Sequence, residues 1–252
     1  MTNKKKTMFI KTAFIVMCFF ALLCLAINLN GTKETIKYNT ASNDSEISTA
    51  NDSVVIRHGS RERKELALTF DDGPDPTETN KILDILKKYN VKATFFVIGK
   101  NIELDSASVK RASDEGHEIG NHTYDHSDIS KLSDKQIKEQ ILKCEELIVS
   151  VTGKKPSIFR PPYGSYNKGN ISKIAEENGY KIVLWGGVDA LDWKNPPAQE
   201  ISNSIINNVI NGDIILLHDY KTENTLKALD TIIPQLLEKG YKFKTISELL
   251  ED

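Results

Sequence analysis

From Leu66 onward, short apolar runs alternate with stretches of helical period, and this alternation restricts the fold more than any other feature. Runs at Leu66–Phe70, Thr94–Ile98, His117–Gly120, Ser157–Arg160, Ile182–Trp185, Ile214–Leu217 and Lys242–Thr245 each precede a helical stretch. Ile82, Leu83, Ile85, Leu86 and Tyr89 fall on one helix face; Ile137, Ile141, Cys144, Ile148 and Val151 fall on another. Ser133 and Gln136 open that second helix with the spacing of a capping box. Repeated βα units with short connections imply parallel strands with helices outside. Seven such units nearly suffice to close a barrel, and an open doubly wound sheet is the other arrangement they allow. Both arrangements place working groups at the C-terminal ends of the strands.

Ahead of these units the composition changes twice. Lys4, Lys5, Lys6 and Lys11 precede an uncharged run of 17 residues, Thr12 to Asn28. That length is about the lower limit for a membrane-spanning helix, and the flanking lysines would stay in the cytoplasm. The expected organisation is a basic tail over 1–11, a transmembrane signal-anchor over 12–29, a flexible stalk over 30–63 and one catalytic domain over 64–252. The stalk assignment follows from a stretch dominated by Ser, Thr, Asn and charges with no sustained apolar period. The domain is then extracellular on a single-pass anchor, or secreted if the segment is cleaved. Setting aside the four lysines leaves −6 from a whole-chain charge of −2, with no basic block, so a nucleic-acid partner is not expected. Only Cys144 lies beyond the apolar run, so the exported part can form no internal disulfide. No protein partner is implied.

The polar residues at the strand ends form a short list. Asp71 and Asp72 follow the first run, His122 and His126 the third, Arg160 the fourth, Asp189 and Asp192 the fifth, and His218 and Asp219 the sixth. Placement at one end of a parallel sheet would turn them toward one cleft. In "HTYDH", two histidines four apart can meet one ion from a helical turn, with Asp72 as the natural third ligand. Two imidazoles and a carboxylate leave an open position and suit Zn²⁺ best, with other divalent ions such as Co²⁺ also compatible. Asp71 is then free to act as a base beside the ion. Gly73 and Pro74 permit the tight turn that aims both acids inward. Arg160, stiffened by two following prolines, can hold its guanidinium as a fork against Asp71. His218 emerges from the apolar run "IILL" and can protonate a leaving group from the far side. His58 and His117 are left outside the site.

Together "TFDDGP", "HTYDH", "RPPYGSYN", "WGGVDALDW" and "IILLHD" resemble the motifs of the polysaccharide deacetylase family, the NodB-homology or carbohydrate esterase family 4 enzymes, over about Lys64 to Leu250. The resemblance implies a distorted (β/α)7 TIM-like barrel and metal-dependent hydrolysis of an N-acetyl or O-acetyl group on a sugar polymer. It implies Asp71 as base, Asp72, His122 and His126 as metal ligands, His218 as general acid and Arg160 as the group orienting the base. Tyr163 resembles the residue whose backbone N–H helps hold the oxyanion. Asp192 resembles the partner of His218, with Asp189 as the alternative. Trp193 and Leu216 are similar to residues lining the acetyl pocket.

The expected activity is removal of N-acetyl groups from an N-acetylglucosamine polymer, with cell-wall peptidoglycan favoured by the exported location. Chitooligosaccharides, an exopolysaccharide and acetylated xylan are alternative substrates. A glycosidase is the competing enzyme class, but adjacent Asp71 and Asp72 are poorly arranged to flank a sugar from opposite sides. A non-catalytic glycan-binding wall protein is the competing non-enzyme, and intact Asp71 and His218 count against it.

Overall fold

The computed structural model describes residues 55–221 and 223–251. The basic tail, the signal-anchor and all of the stalk up to residue 54 lie outside the described residues. Among the described residues no helix is long and apolar enough to cross a membrane.

Among the described residues, eight strands and eight α-helices follow one another, mostly in alternation. The strands are β1 (Val55–Ile56), β2 (Glu65–Asp71), β3 (Thr94–Val97), β4 (Glu118–Asn121), β5 (Ile158–Phe159), β6 (Lys181–Val183), β7 (Ile214–His218) and β8 (Lys242–Phe243). The helices are α1 (Glu78–Lys88), α2 (Gly99–Leu104), α3 (Ser106–Asp114), α4 (Asp134–Thr152), α5 (Ile171–Glu177), α6 (Ala198–Asn208), α7 (Glu223–Glu238) and α8 (Ile246–Leu249). All seven runs that read as strands form strands. The capping box of Ser133 and Gln136 opens α4, and left-handed Gly153 closes it.

Every strand pairing is parallel, in the order β1-β6-β5-β4-β3-β2-β7, with β8 beside the start of β2. The order from β2 to β6 is consecutive and never reverses, so the doubly wound alternative is excluded. The sheet is a parallel half-barrel. Its edge strands are β1 and β7, and among the described residues these edges are joined only by isolated bridges, His58 to Asp213 and Asp189 to Leu216. The outer edge of β6 is taken by β1.

One boundary needs correction. The folded domain begins by Val55, inside the stretch expected as stalk. Val55 and Ile56 pair with Ile182 and Val183, Gly59 N–H donates to Gly212 O at 2.8 Å, and Arg61 meets Asp213 at 2.6 Å. Two paired residues were too short a run to show any period.

Strand parity decides which side chains face the interior. On β2, Leu66, Leu68 and Phe70 join Phe95, Val97, Ile215 and Leu217 in the layer beneath the helices. The alternate positions Ala67, Phe96, Ile158, Val183 and Ile214 face inward, where Ile246 and Leu249 of α8 complete an inner cluster. Continuing the same alternation places Thr69 and Asp71 inside on β2, Leu216 and His218 inside on β7, and Arg160 inside just past β5. Gly120 keeps this interior open, because a Cβ there would stand 2.5 Å from the Phe96 ring.

Candidate active site

Arg160 lies at the centre of the interior and is fully buried. Its Nη1 donates to Asp71 Oδ1 at 2.7 Å and to Thr69 Oγ1 at 2.8 Å, its Nε donates to Val183 O, and its guanidinium lies 4.1 Å over the Phe96 ring. The expected fork against Asp71 is therefore a single bond, and Nη2 has no hydrogen-bond partner. Nε is committed to the β6 carbonyl, which turns the paired donors away from the carboxylate. Asp71 thus has one oxygen fixed by Arg160 and the other 3.8 Å from His122 Nε2.

Asp72 follows with φ +75, and this left-handed step separates its side chain from that of Asp71. Its backbone carbonyl accepts from Asn101 Nδ2 at 2.7 Å, and the Gly73 carbonyl accepts from Ile98 N–H. Asp219 lies behind this turn, buried, accepting from Thr79 Oγ1 at 2.6 Å while its own N–H donates to Asp71 O. A Cβ on Gly73 would meet Asp219 Oδ2 at 2.1 Å, so this glycine is required by a close approach, while the left-handed step of the turn falls on Asp72. Burial, with Asp72 and Asp71 nearby, pushes the Asp219 carboxyl up to about 7.

His122 and His126 converge on Asp72, but not from a helix. Residues 122–126 form an irregular loop in which Thr123 and His126 have φ of +70 and +60. Asn121 Oδ1 accepts from Thr123 N–H, Thr123 Oγ1 accepts from His126 N–H, and Gln140 Oε1 accepts from both Tyr124 and Asp125 N–H. The spacing of four thus brings the rings together, with centroids 5.0 Å apart, through a strained loop instead of a helical turn. The His126 ring meets Tyr163 edge to face at 4.9 Å.

The three side chains fit a divalent cation. Asp72 Oδ1 is buried without a hydrogen-bond partner and stands 3.5 Å from His122 Nε2 and 3.2 Å from His126 Nε2. Two donors bound at 2.0–2.1 Å to one tetrahedral centre are about 3.3 Å apart. His122 Nδ1–H donates to Arg160 O at 2.6 Å, which leaves the Nε2 lone pair toward Asp72. Burial opposes ionisation of Asp72, yet the imidazoles of His122, His126 and His218 around it hold its carboxyl down at about 2.

His218 ends β7 beside Asp71, its register partner on the neighbouring strand β2. Its Nδ1 bonds to Asp192 Oδ1 at 2.7 Å, and its backbone N–H donates to Asp192 Oδ2 at 2.9 Å. Thr225 Oγ1 donates to the same Oδ2, so the fully buried Asp192 is oriented from two sides. Asp189 instead caps its own turn by accepting from Leu191 N–H. Burial alone would lower the His218 pKa, but the Asp192 bond and charge, with Asp71 and Asp72, raise it to about 9.

A cavity of about 360 Å³ joins these groups, lined by Asp71, Asp72, His122, His126 and His218 together with Tyr163, Trp193 and Leu216. Trp185 and Pro161 complete its apolar wall. The sequence reading missed Trp185 as a lining residue, because it read only as the end of a strand. Left-handed backbone at Asp72, Thr123, His126, Tyr163, Leu191 and Asn195 gathers on the loops around this mouth. Such strain in non-glycine residues concentrates at functional sites.

The polysaccharide deacetylase sequence profile matches residues 58–183, which carry the Asp71–Asp72 turn, the histidine loop and Arg160. A Bacillus cereus peptidoglycan-N-acetylglucosamine deacetylase is 44% identical over 190 residues, covering 74% of this chain and 88% of that protein. The chain belongs to the polysaccharide deacetylase family. A crystal structure of a peptidoglycan N-acetylglucosamine deacetylase, in complex with a naphthalenyl N-hydroxybenzamide, superposes with a TM-score of 0.75 at 43% identity, over 78% of this chain and 92% of that one. A pseudoenzyme of carbohydrate esterase family 4 from Bacillus anthracis superposes with a TM-score of 0.74 at 35% identity, covering 78% and 69% of the two chains. The family's hydrolase fold therefore spans the described domain, including the His218 side that the profile match does not reach.

Proposed function

We propose that this chain hydrolyses the N-acetyl group of N-acetylglucosamine residues in a cell-wall glycan, peptidoglycan foremost. The observation that carries the reading is the convergence of Asp71 and His218 with the Asp72–His122–His126 cluster on one cavity. The names of the B. cereus relative and of the matched crystal structure support the substrate class.

A divalent ion held by Asp72, His122 and His126, Zn²⁺ by the donor set and Co²⁺ as an alternative, supplies Lewis acidity toward the acetyl carbonyl and makes water more acidic. Asp71, with Oδ1 tied to Arg160, uses Oδ2 to take the proton from the attacking water. The tetrahedral oxyanion is met by the Tyr163 backbone N–H. His218, held cationic through Asp192, donates its Nε2 proton to the departing sugar amine, leaving free amine and acetate. Trp193, Leu216 and Trp185 form an apolar slot for the acetyl methyl. Exposed Tyr163 and Trp193 offer aromatic surface at the rim for the sugar rings. The apolar run at 12–28 behind four lysines supports the further reading that the domain is exported and held at the outer face of the cell membrane.

The test is to incubate the purified chain with peptidoglycan and with N-acetylglucosamine oligomers, with and without chelator, and to assay acetate and new reducing ends. Chelator-sensitive acetate without reducing ends is expected. Reducing ends without acetate would replace the proposal with a glycosidase, and neither product with metal bound would replace it with a non-catalytic glycan binder.

A further inference from the structure

The loop that carries both histidines has no regular structure of its own, so its shape must be imposed. Thr123 and His126 hold left-handed backbone that residues with a Cβ adopt rarely, and such conformations persist only where the surroundings over-determine them. Its start and its two central peptide planes are held by neighbouring elements. Asn121 belongs to β4, donates from Nδ2 to Ile141 O and accepts Thr123 N–H, while Gly99 and Lys100 donate to the Thr123 and Tyr124 carbonyls. The N–H side of those two peptide planes is held from another helix. The N–H groups of Tyr124 and Asp125 both turn to one acceptor, Gln140 Oε1, at 3.0 and 3.1 Å, from the side chain of a separate helix.

Gln140 is half-buried at the edge of the α4 face that carries Ile137, Ile141 and Cys144, where the helix passes beneath the loop. Its contact spans the interval between the two histidines. We propose that Gln140 is a positioning residue for the metal site. Its side-chain carbonyl fixes the peptide planes at Tyr124 and Asp125, and through them the separation and aim of His122 and His126. This rests on the reading of Asp72, His122 and His126 as metal ligands. Only the acceptor is used in these two bonds, so Glu should replace Gln at this position, whereas Leu keeps the bulk and removes the acceptor.

The experiment measures Co²⁺ and Zn²⁺ affinity by competition with a chromogenic chelator for the full chain and its Gln140→Leu, Gln140→Glu and His126→Ala variants. Thermal melting of each metal-free protein is recorded in parallel. Loss of a group that orients a metal ligand costs about 10- to 100-fold in affinity. The expected result is a Kd raised about 10-fold or more in Gln140→Leu and within about 3-fold of wild type in Gln140→Glu, with acetate release by the Leu variant recovering as metal is added. A Kd within about 2-fold of wild type in Gln140→Leu, with His126→Ala abolishing binding, would overturn the inference and leave the metal reading intact. Equal weakening by Leu and Glu would also overturn it, since the acceptor would not be the cause. Absence of binding by the wild type, or an unchanged Kd in His126→Ala, would overturn the metal reading and this inference with it.

Discussion

Replacing Asp192 with Asn tests the acid half of the site without removing an atom from the core. In the wild type, Asp192 Oδ2 accepts from His218 N–H and from Thr225 Oγ1, while Oδ1 accepts from His218 Nδ1–H. An amide has one acceptor oxygen, and the two fixed donors claim it. The amide NH₂ then faces His218 Nδ1 and opposes the imidazolium where the carboxylate supported it. An opposite charge at this range is worth about 1–3 pKa units, or roughly 1.4–4 kcal/mol, so His218 falls from about 9 toward or below its ordinary 6.5. A fall of 1–3 units leaves between about a half and a hundredth of the ring protonated at pH 8, so acetate release there should fall about 2- to 100-fold. The loss should shrink as the pH is lowered and the ring is protonated in both proteins. The assay is initial acetate release across pH 5–10 at saturating metal. The basic limb of the Asp192→Asn profile should move down by about 1–3 units, and superposition of the two basic limbs would refute the assignment.

Arg160→Met removes the donor to Asp71 and Thr69 from a fully buried position, and breaking a buried pair costs about 3–5 kcal/mol; urea unfolding should show that loss, and acetate release should fall at least about 10-fold. Gly73→Ala drives a Cβ into Asp219 Oδ2, so the turn must move, and the variant should bind metal more weakly and melt lower than wild type in a chelator titration and a thermal scan. His117 is buried, accepts Ala93 N–H at Nδ1, and is pushed down to about 4 by burial and then by Lys92. Between pH 6.5 and 4 the unfolded chain takes a proton that the folded one refuses, so stability should fall as pH drops through this window by up to about 3 kcal/mol. Urea unfolding at pH 7 and pH 5 should show a steeper loss for wild type than for His117→Gln, and parallel losses would refute it.

How much of this was legible in the sequence depends on the range of the interactions. The seven main strands were visible because Leu66, Leu68 and Phe70, or Ile214 to Leu217, are buried by strand position alone. Their polar C-terminal neighbours then marked the cleft: Asp71, Asp72, His122, His126 and His218 line it, and Arg160 is buried behind Asp71. The first strand escaped because Val55 and Ile56 are two residues in a polar stretch, held by β6 more than a hundred residues away. The spacing of His122 and His126 suggested a helical turn, whereas tertiary bonds from Asn121 and Gln140 impose a loop. The resemblance favoured Asp192 over Asp189 as the partner of His218, but the bonds from Thr225 of α7 and the His218 backbone that hold Asp192 there are long-range and left no local mark. Asp219 stood among the strand-end residues, but its link to Thr79 and Gly73 depends on a close packing that no local pattern reports.

The central claim is that Asp71 is the base beside a metal site it does not help to form. The most direct measurement is acetate release from N-acetylglucosamine oligomers by wild type and Asp71→Asn, with bound metal quantified in the same samples. Equal metal content with acetate release reduced at least about 100-fold in Asp71→Asn is the predicted result. Retained acetate release at equal metal content, or loss of the metal along with the activity, would contradict it.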